Sequence, residues 1–193
     1  INGHTPERDQ RLAYDPELSK KLLAEAGYPD GFELTLDCPN DRYINDEAIC
    51  VAAISMFAKI GVTVNLDAKT KSQHFSEIKE GDANGMTSDM YMLGWGVPTF
   101  DSEYVYSYLF ESSGSWNKVN FSNARVDELV ASMKIETDLD KRNAMIAEAW
   151  DITQDDVTYL PLHHQVANQA STSNVDVPIR MNNEPLFRFA NVN

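Results

Sequence analysis

Several features that often announce a function are scarce in this sequence. Apolar runs such as Met90 to Leu93 are far shorter than the roughly 20 residues a membrane-spanning helix needs. Basic residues are few: 16 Lys and Arg stand against 30 Asp and Glu, a net charge of −14. A phosphate backbone would be repelled, so nucleic acid is not an expected partner. The only cysteines are Cys38 and Cys50, which lack metal-ligand spacing. Two buried free thiols is the expectation, with a disulfide as the alternative in an oxidising compartment. No nucleotide-binding loop and no Ser-His-Asp pattern is present, which leaves an α/β enzyme as a remote alternative. His163 and His164 invite a metal reading, but neighbours on a strand point to opposite faces, so structural roles are expected for both. No cofactor or metal is therefore expected. No secretory leader is visible at Ile1, and the chain reads as a piece of a longer one.

The 193 residues, 42% hydrophobic and 24% charged, describe a globular domain. At this size a chain buries roughly 70% of its unfolded surface, enough for one core. Asp15-Pro16, then Leu18, Leu22 and Leu23, then Gly27, spell a short helix with a cap, a proline at its first turn and a left-handed exit. Phe32 to Leu36 alternates apolar and polar, predicting a strand. A polar loop over 39–43 leads to a helix over about 45–60, with Ile49, Ala52, Ala53, Met56 and Phe57 on one face. Val62, Val64 and Leu66 predict a second strand. Gln73 to Lys79 is a short helix closed by Gly81, and Asp89 to Leu93 is a third strand running into Gly94-Trp95-Gly96. Alternating strands and helices imply a mainly parallel α/β sheet with helices on its faces. Ligands on such sheets bind beyond the carboxyl ends of the strands, which singles out the loops after Leu36 and Leu93. Downstream, Ser122-Asn123 and Asp138 each start a helix, Thr158 to Leu162 resumes an extended path, and the end from Val175 is irregular.

Specific blocks then carry a resemblance. Tyr14-Asp15-Pro16-Glu17 with Leu22-Leu23-Ala24-Glu25-Ala26-Gly27-Tyr28 is the first. Asn40-Asp41-Arg42-Tyr43, Ala58-Lys59-Ile60-Gly61-Val62, Leu93-Gly94-Trp95-Gly96, Asn120-Phe121-Ser122-Asn123 and Tyr159-Leu160-Pro161-Leu162 follow in order. Together they resemble the peptide/nickel-type family of bacterial extracytoplasmic solute-binding proteins. The resemblance implies the second, carboxy-terminal lobe of a two-lobe receptor with a periplasmic-binding-protein-like fold of type II, cluster C character. Residues 1–174 would form that ligand-binding lobe, and 175–193 a return segment that packs on the absent first lobe. It further implies a monomer in the periplasm, or a lipoprotein on the outer face of the cytoplasmic membrane. Such a receptor is not an enzyme; it delivers a peptide-like small solute to an ABC importer permease. An opine, sugar or metal chelate is the alternative cargo.

Most candidate site residues lie in the two loops already singled out. Arg42 follows a strand end and precedes a helix start, where a guanidinium takes a carboxylate with two parallel hydrogen bonds and the backbone donors near Asn45 add to an anion site. Pairing of Arg42 with Asp41 or Asp46 is the competing reading. Tyr43 stands beside it. Trp95 offers a flat apolar wall, and Gly96 permits close approach. In dipeptide-binding relatives an aspartate held to pair with the ligand's ammonium aligns with Pro98 here, and Asp101 aligns with a second, helix-capping one. The expected ammonium partner is then missing, or Asp101 or Glu103 substitutes for it through a shifted loop, and Tyr104, Trp116 and Asn117 complete the expected set as rim contacts.

Overall fold

The computed structural model describes residues 1–10, 12–80, 88–166, 168–180, 182 and 184–192; the expected helix stop at Gly81 lies outside them. The chain forms two compact units, Ile1–Thr158 and Tyr159–Asn193.

In the first unit, helix α1 (Pro16–Glu25) starts as its sequence dictates. The Asp15 carboxylate accepts the Leu18 N–H, and proline opens the first turn. Gly27 supplies the exit at φ 96°. Strand β1 (Glu33–Pro39) pairs in parallel with β2 (Thr63–Lys69) along its whole length, Leu34 opposite Val64 and Cys38 opposite Ala68. It also pairs with the two-residue strand β3 (Met90–Tyr91), giving the order β2-β1-β3. The helices α2 (Asp46–Ala58) and α3 (Lys71–Glu80) lie in the connections between these parallel strands. The expected parallel α/β sheet is thus present. β3 is shorter than expected because Asp89 contributes to the ladder differently. Its carboxylate accepts the Thr35 N–H, while its own N–H donates to the Thr35 carbonyl.

Period two sorts β1 between two environments. Leu34, Leu36 and Cys38 join Cys50, Val62 and Val64 in one core, with Leu23, Ile54, Phe57, Ile60, Met90 and Met92 packed against it. Full burial of such side chains stabilises by about 1.5–3 kcal/mol each. Asp37, between Leu36 and Cys38, meets α3 instead, where His74 and Ile78 are wholly buried. At the start of β1, Gly31 sits at φ 76° so close to Gly61 that an added Cβ would fall 1.8 Å from the Gly61 carbonyl oxygen.

Two expectations are corrected here. The cysteines are not free: Cys38 and Cys50 form a disulfide with a Cα–Cα separation of 6.6 Å, joining the end of β1 to the second turn of α2. Closing a loop of this size stabilises by about 3 kcal/mol in chain-entropy terms. The buried face of α2 also differs, because the disulfide turns Cys50 inward and Ile54 and Phe57 follow at i+4 and i+7. Met56, expected inside, is 58% exposed.

The rest of this unit is helical. The short α4 (Glu103–Val105) continues into a wider π-helical turn over Tyr106–Phe110. Helices α5 (Ala124–Met133) and α6 (Leu139–Asp156) are capped by Asn123 and Asp138, whose side chains accept from the first-turn N–H groups. Val126, Leu129, Val130, Met133, Ile146 and Ala149 are buried in this region with Tyr106, Leu109, Phe110 and Phe121. None of the helices among the described residues is long and apolar enough to cross a membrane.

The second unit holds a two-stranded antiparallel pair, β4 (Val175–Asp176) and β5 (Asn191–Val192), and a 3-10 turn over Phe187–Phe189. The stretch from Tyr159 to Gln165 contains no strand. His163 and His164 are exposed on irregular backbone, so they do not alternate across a strand as expected.

Candidate ligand-binding site

The loops after β1 and β3 emerge from the same, carboxyl, end of the parallel sheet and are tied together. The loop over 40–45 is built by its own aspartates. Asp46, 4% exposed, accepts N–H bonds from Arg42 at 2.8 Å, from Tyr43 at 2.9 Å and from Glu47 at 2.9 Å. Burial pushes its carboxyl up, but the Tyr43, Arg42 and Glu47 donors outweigh that and hold it below the usual aspartate range. Asp41 accepts the Lys71 N–H at 2.5 Å, and the Asn40 N–H donates to the Lys69 carbonyl. This loop is fixed to the end of β2 as well.

Both carboxylates expected to compete for Arg42 are thus engaged by backbone N–H groups. The Arg42 side chain is exposed, its guanidinium carbon 4.8 Å from the centre of the Tyr43 ring, a cation-over-aromatic arrangement. Among the described residues no carboxylate pairs with it. The helix start is different from expectation: Asn45 is left-handed at φ 59° and makes no side-chain cap. Asp46 already supplies the anion that the first turn of α2 attracts, so Arg42 is left as the principal cation of the loop.

Tyr43 carries the connection onward. Its hydroxyl accepts the Gly94 N–H at 2.9 Å, and its ring lies so close that a Cβ on Gly94 would come within 2.6 Å of Cε1. Beyond Gly94, Trp95 packs among three rings, with centroids 5.9 Å from Tyr104, 5.9 Å from Tyr108 and 5.8 Å from Trp116. Tyr104 and Tyr108 lie 4.5 Å apart, and Phe75 meets Trp116 edge-on at 6.1 Å. These separations are those of favourable aromatic pairs. The Trp95 indole N–H is buried and has no partner among the described residues. Gly96 has nothing among the described residues within 4 Å of where a Cβ would stand.

Five of the eight expected residues, Arg42, Tyr43, Trp95, Tyr104 and Trp116, are joined through these contacts, and exposed Gly96 adjoins Trp95. The other two have polar groups committed elsewhere. Asp101 takes Arg142 in two bonds, at 2.8 Å and 3.2 Å, together with the Asn2 amide and the Glu103 N–H, both at 2.9 Å. Burial raises its carboxyl, yet Arg142, Asn2 and the Glu103 N–H together hold it below the ordinary range. Asn117 donates to the Glu111 and Phe121 carbonyls and accepts the Phe121 N–H, which spends its amide inside its own turn. Sequence reasoning missed Tyr108 and Phe75. Tyr108 stands four residues after Tyr104 on a helical path, a spacing that brings side chains together and would have found it.

Comparison with known proteins bears on the family and the fold. Residues 1–117 match the family described as bacterial extracellular solute-binding proteins, family 5, middle region. The glutathione-binding protein of Salmonella typhimurium is 28% identical over 157 residues, covering 79% of this chain and 30% of that protein. Heme-binding protein A of Haemophilus influenzae is 32% identical over 162 residues, 81% of this chain and 29% of that protein. The chain therefore spans about a third of the length of the curated relatives it matches. Among solved structures, a dipeptide-binding protein from Pseudoalteromonas in complex with Met-Leu superposes with a TM-score of 0.78 at 24% identity, covering 99% of this chain and 38% of that one. HbpA2 of Haemophilus parasuis gives a TM-score of 0.70 at 22% identity over 81% of this chain and 31% of that one, a likeness of fold. The chain belongs to the bacterial extracellular solute-binding proteins of family 5.

Proposed function

We propose that this chain is the carboxy-terminal ligand-binding lobe of an extracytoplasmic receptor that captures a peptide-like solute through its carboxylate and delivers it to an ABC importer permease. Residues 1–174 make the lobe and 175–193 a return segment to a first lobe, so that the ligand is enclosed when the two lobes close. The receptor works as a monomer in the periplasm or as a lipoprotein on the outer face of the cytoplasmic membrane. It binds and releases without catalysing a reaction. The disulfide fits an oxidising compartment.

The observation that carries the reading is Arg42: an exposed guanidinium, unpaired among the described residues, braced on Tyr43 and joined through Gly94 to an aromatic wall. A planar fork of donors beside flat apolar surface suits a carboxylate followed by a side chain or peptide plane. Charge-assisted bonds to a carboxylate contribute about 1.5–3 kcal/mol each.

Calorimetric titration of the full-length receptor with glutathione and with Met-Leu, each as free acid and as carboxy-terminal amide, tests it. Arg42→Ala is expected to weaken the free acid roughly 10- to 100-fold and to leave the amide unchanged. Equal affinities of the variant and the wild type for the free acids would overturn the carboxylate reading.

A second reading, the same receptor with an opine, sugar or metal chelate, is favoured by one observation. Asp101 is engaged by Arg142, and Pro98 stands where an ammonium-pairing aspartate is expected. Native mass spectrometry of the receptor purified without refolding separates the two, since a copurified free-amine dipeptide rules against the second.

A further inference from the structure

We propose that the Cys38–Cys50 disulfide, with Met92 seated on it, is the positioning element that holds the Arg42–Tyr43 loop and the Gly94–Trp95 loop in one arrangement. Calling those loops ligand-facing rests on the function proposed above; the positioning itself does not.

The bond joins residues 12 apart in sequence, and what lies between them is the loop over 40–45. Cys38 is the last but one residue of β1, and Cys50 faces the core from α2. The Arg42 loop is therefore closed at its base by a covalent link, in addition to the Asp46 bonds that shape its tip. Both sulfurs are sealed from solvent, Cys38 being 0% and Cys50 3% exposed, so the bond serves as a fixed staple.

The second loop is seated on the same bond. Met92 Sδ lies 3.8 Å from Cys38 Sγ and 3.7 Å from Cys50 Sγ. The Met92 backbone is gripped at both ends, its N–H donating to the Asp37 carbonyl at 2.9 Å and its carbonyl accepting from His74 Nε2 at 2.9 Å. Two residues later the Gly94 N–H reaches the Tyr43 hydroxyl. The loops thus share a base, the disulfide with Met92, and a tip, Tyr43 with Gly94. A staple that only constrained the unfolded chain would act on every part of the fold alike. A positioning staple acts on these two loops first.

Amide hydrogen exchange of the full-length protein, read by mass spectrometry without ligand, distinguishes them. In the Cys38→Ala/Cys50→Ala variant the amides of Arg42, Tyr43 and Gly94 are expected to exchange about tenfold faster or more by local opening that low urea does not change, while Asn65 and Asp67, whose N–H groups point from β2 to β1, change only by the loss of global stability. Met92→Leu, which retains the disulfide and nearly the same volume, is expected to accelerate Gly94 and to spare Arg42. A uniform rise across β2 and the loops, or no rise at the loops, overturns the proposal. If the double variant fails to fold, Met92→Leu decides: unchanged exchange at Gly94 overturns it. Because no ligand is involved, failure of the Arg42→Ala titration would leave these outcomes standing, and the reverse holds too.

Discussion

The Tyr43 hydroxyl accepts the Gly94 N–H at 2.9 Å, and the same ring lies against the Gly94 Cα and beneath the Arg42 guanidinium. One side chain therefore ties the tips of the two loops together. A methyl group at Gly94 would stand 2.6 Å from Tyr43 Cε1 and 2.9 Å from Cζ, so the ring must swing and its hydroxyl must leave the N–H. Gly94→Ala is expected to cost about 1–3 kcal/mol, the usual range for overpacking, and Tyr43→Phe about 1 kcal/mol for the lost hydrogen bond. Urea denaturation of Gly94→Ala, of Tyr43→Ala and of Gly94→Ala/Tyr43→Ala gives the coupling. A cycle in which Gly94→Ala costs as much without the Tyr43 ring as with it would show that the ring is not what Gly94 accommodates.

The second prediction concerns Asp101 and Arg142, which are 21% and 16% exposed at their side chains. Because the Asp101 carboxyl is held below its ordinary range in the fold, its contribution is fully present above the unfolded value of about 3.9. It is lost as pH falls through the lower folded value. Asp101→Asn should therefore cost about 1–3 kcal/mol at neutral pH, and the gap to the wild type should close as pH drops below about 4. Urea midpoints at a series of pH values measure this. A gap that stays constant down to pH 2 would refute the assignment. The same variant, while folded, is expected to keep its ligand affinity; a large loss of affinity with unchanged stability would return Asp101 to the binding set.

What the sequence disclosed follows from how local each signal is. The cap, proline and glycine of α1 act within one turn, and the alternation of β2 reports a period-two burial that needs no knowledge of neighbours, whereas β1 is buried on both faces from Leu36 onward. The face of α2 was misread because Ala48 to Ile54 is apolar without interruption. Periodicity then gives no preferred side, and the choice is made by the Cys38–Cys50 bond, a contact between elements. Arg42 could be located but its freedom could not. That freedom depends on Asp41 turning to the Lys71 N–H and Asp46 to the loop's own N–H groups. The aromatic wall was half legible: Trp95, Tyr104 and Trp116 were named, whereas Phe75 arrives from a helix whose orientation only the tertiary packing sets.

The third prediction is the least intuitive, because it concerns a polar cluster beneath the site. His74, fully buried, has Nδ1 2.7 Å from Asp37 Oδ1 and Nε2 2.9 Å from the Met92 carbonyl. A carbonyl only accepts, so Nε2 is the donor there, and one further proton bridges Nδ1 and the Asp37 carboxylate. Asp37, 1% exposed, also faces Lys69 Nζ at 3.5 Å. Lys69 has nearer partners, Asp67 at 2.6 Å and Glu77 at 2.5 Å. Removing the imidazole alone leaves a buried carboxylate and a carbonyl with one partner fewer, so His74→Phe is expected to cost about 3–5 kcal/mol. Replacing both members by apolar groups removes the orphaned charge, and Lys69 keeps its two closer carboxylates. Asp37→Leu/His74→Phe is therefore expected to be more stable than His74→Phe alone by at least about 1 kcal/mol. Urea midpoints of the two variants, with equal slopes, settle the comparison. A double variant no more stable than the single one would mean that the cluster is held by packing around the ring rather than by the pairing of His74 with Asp37.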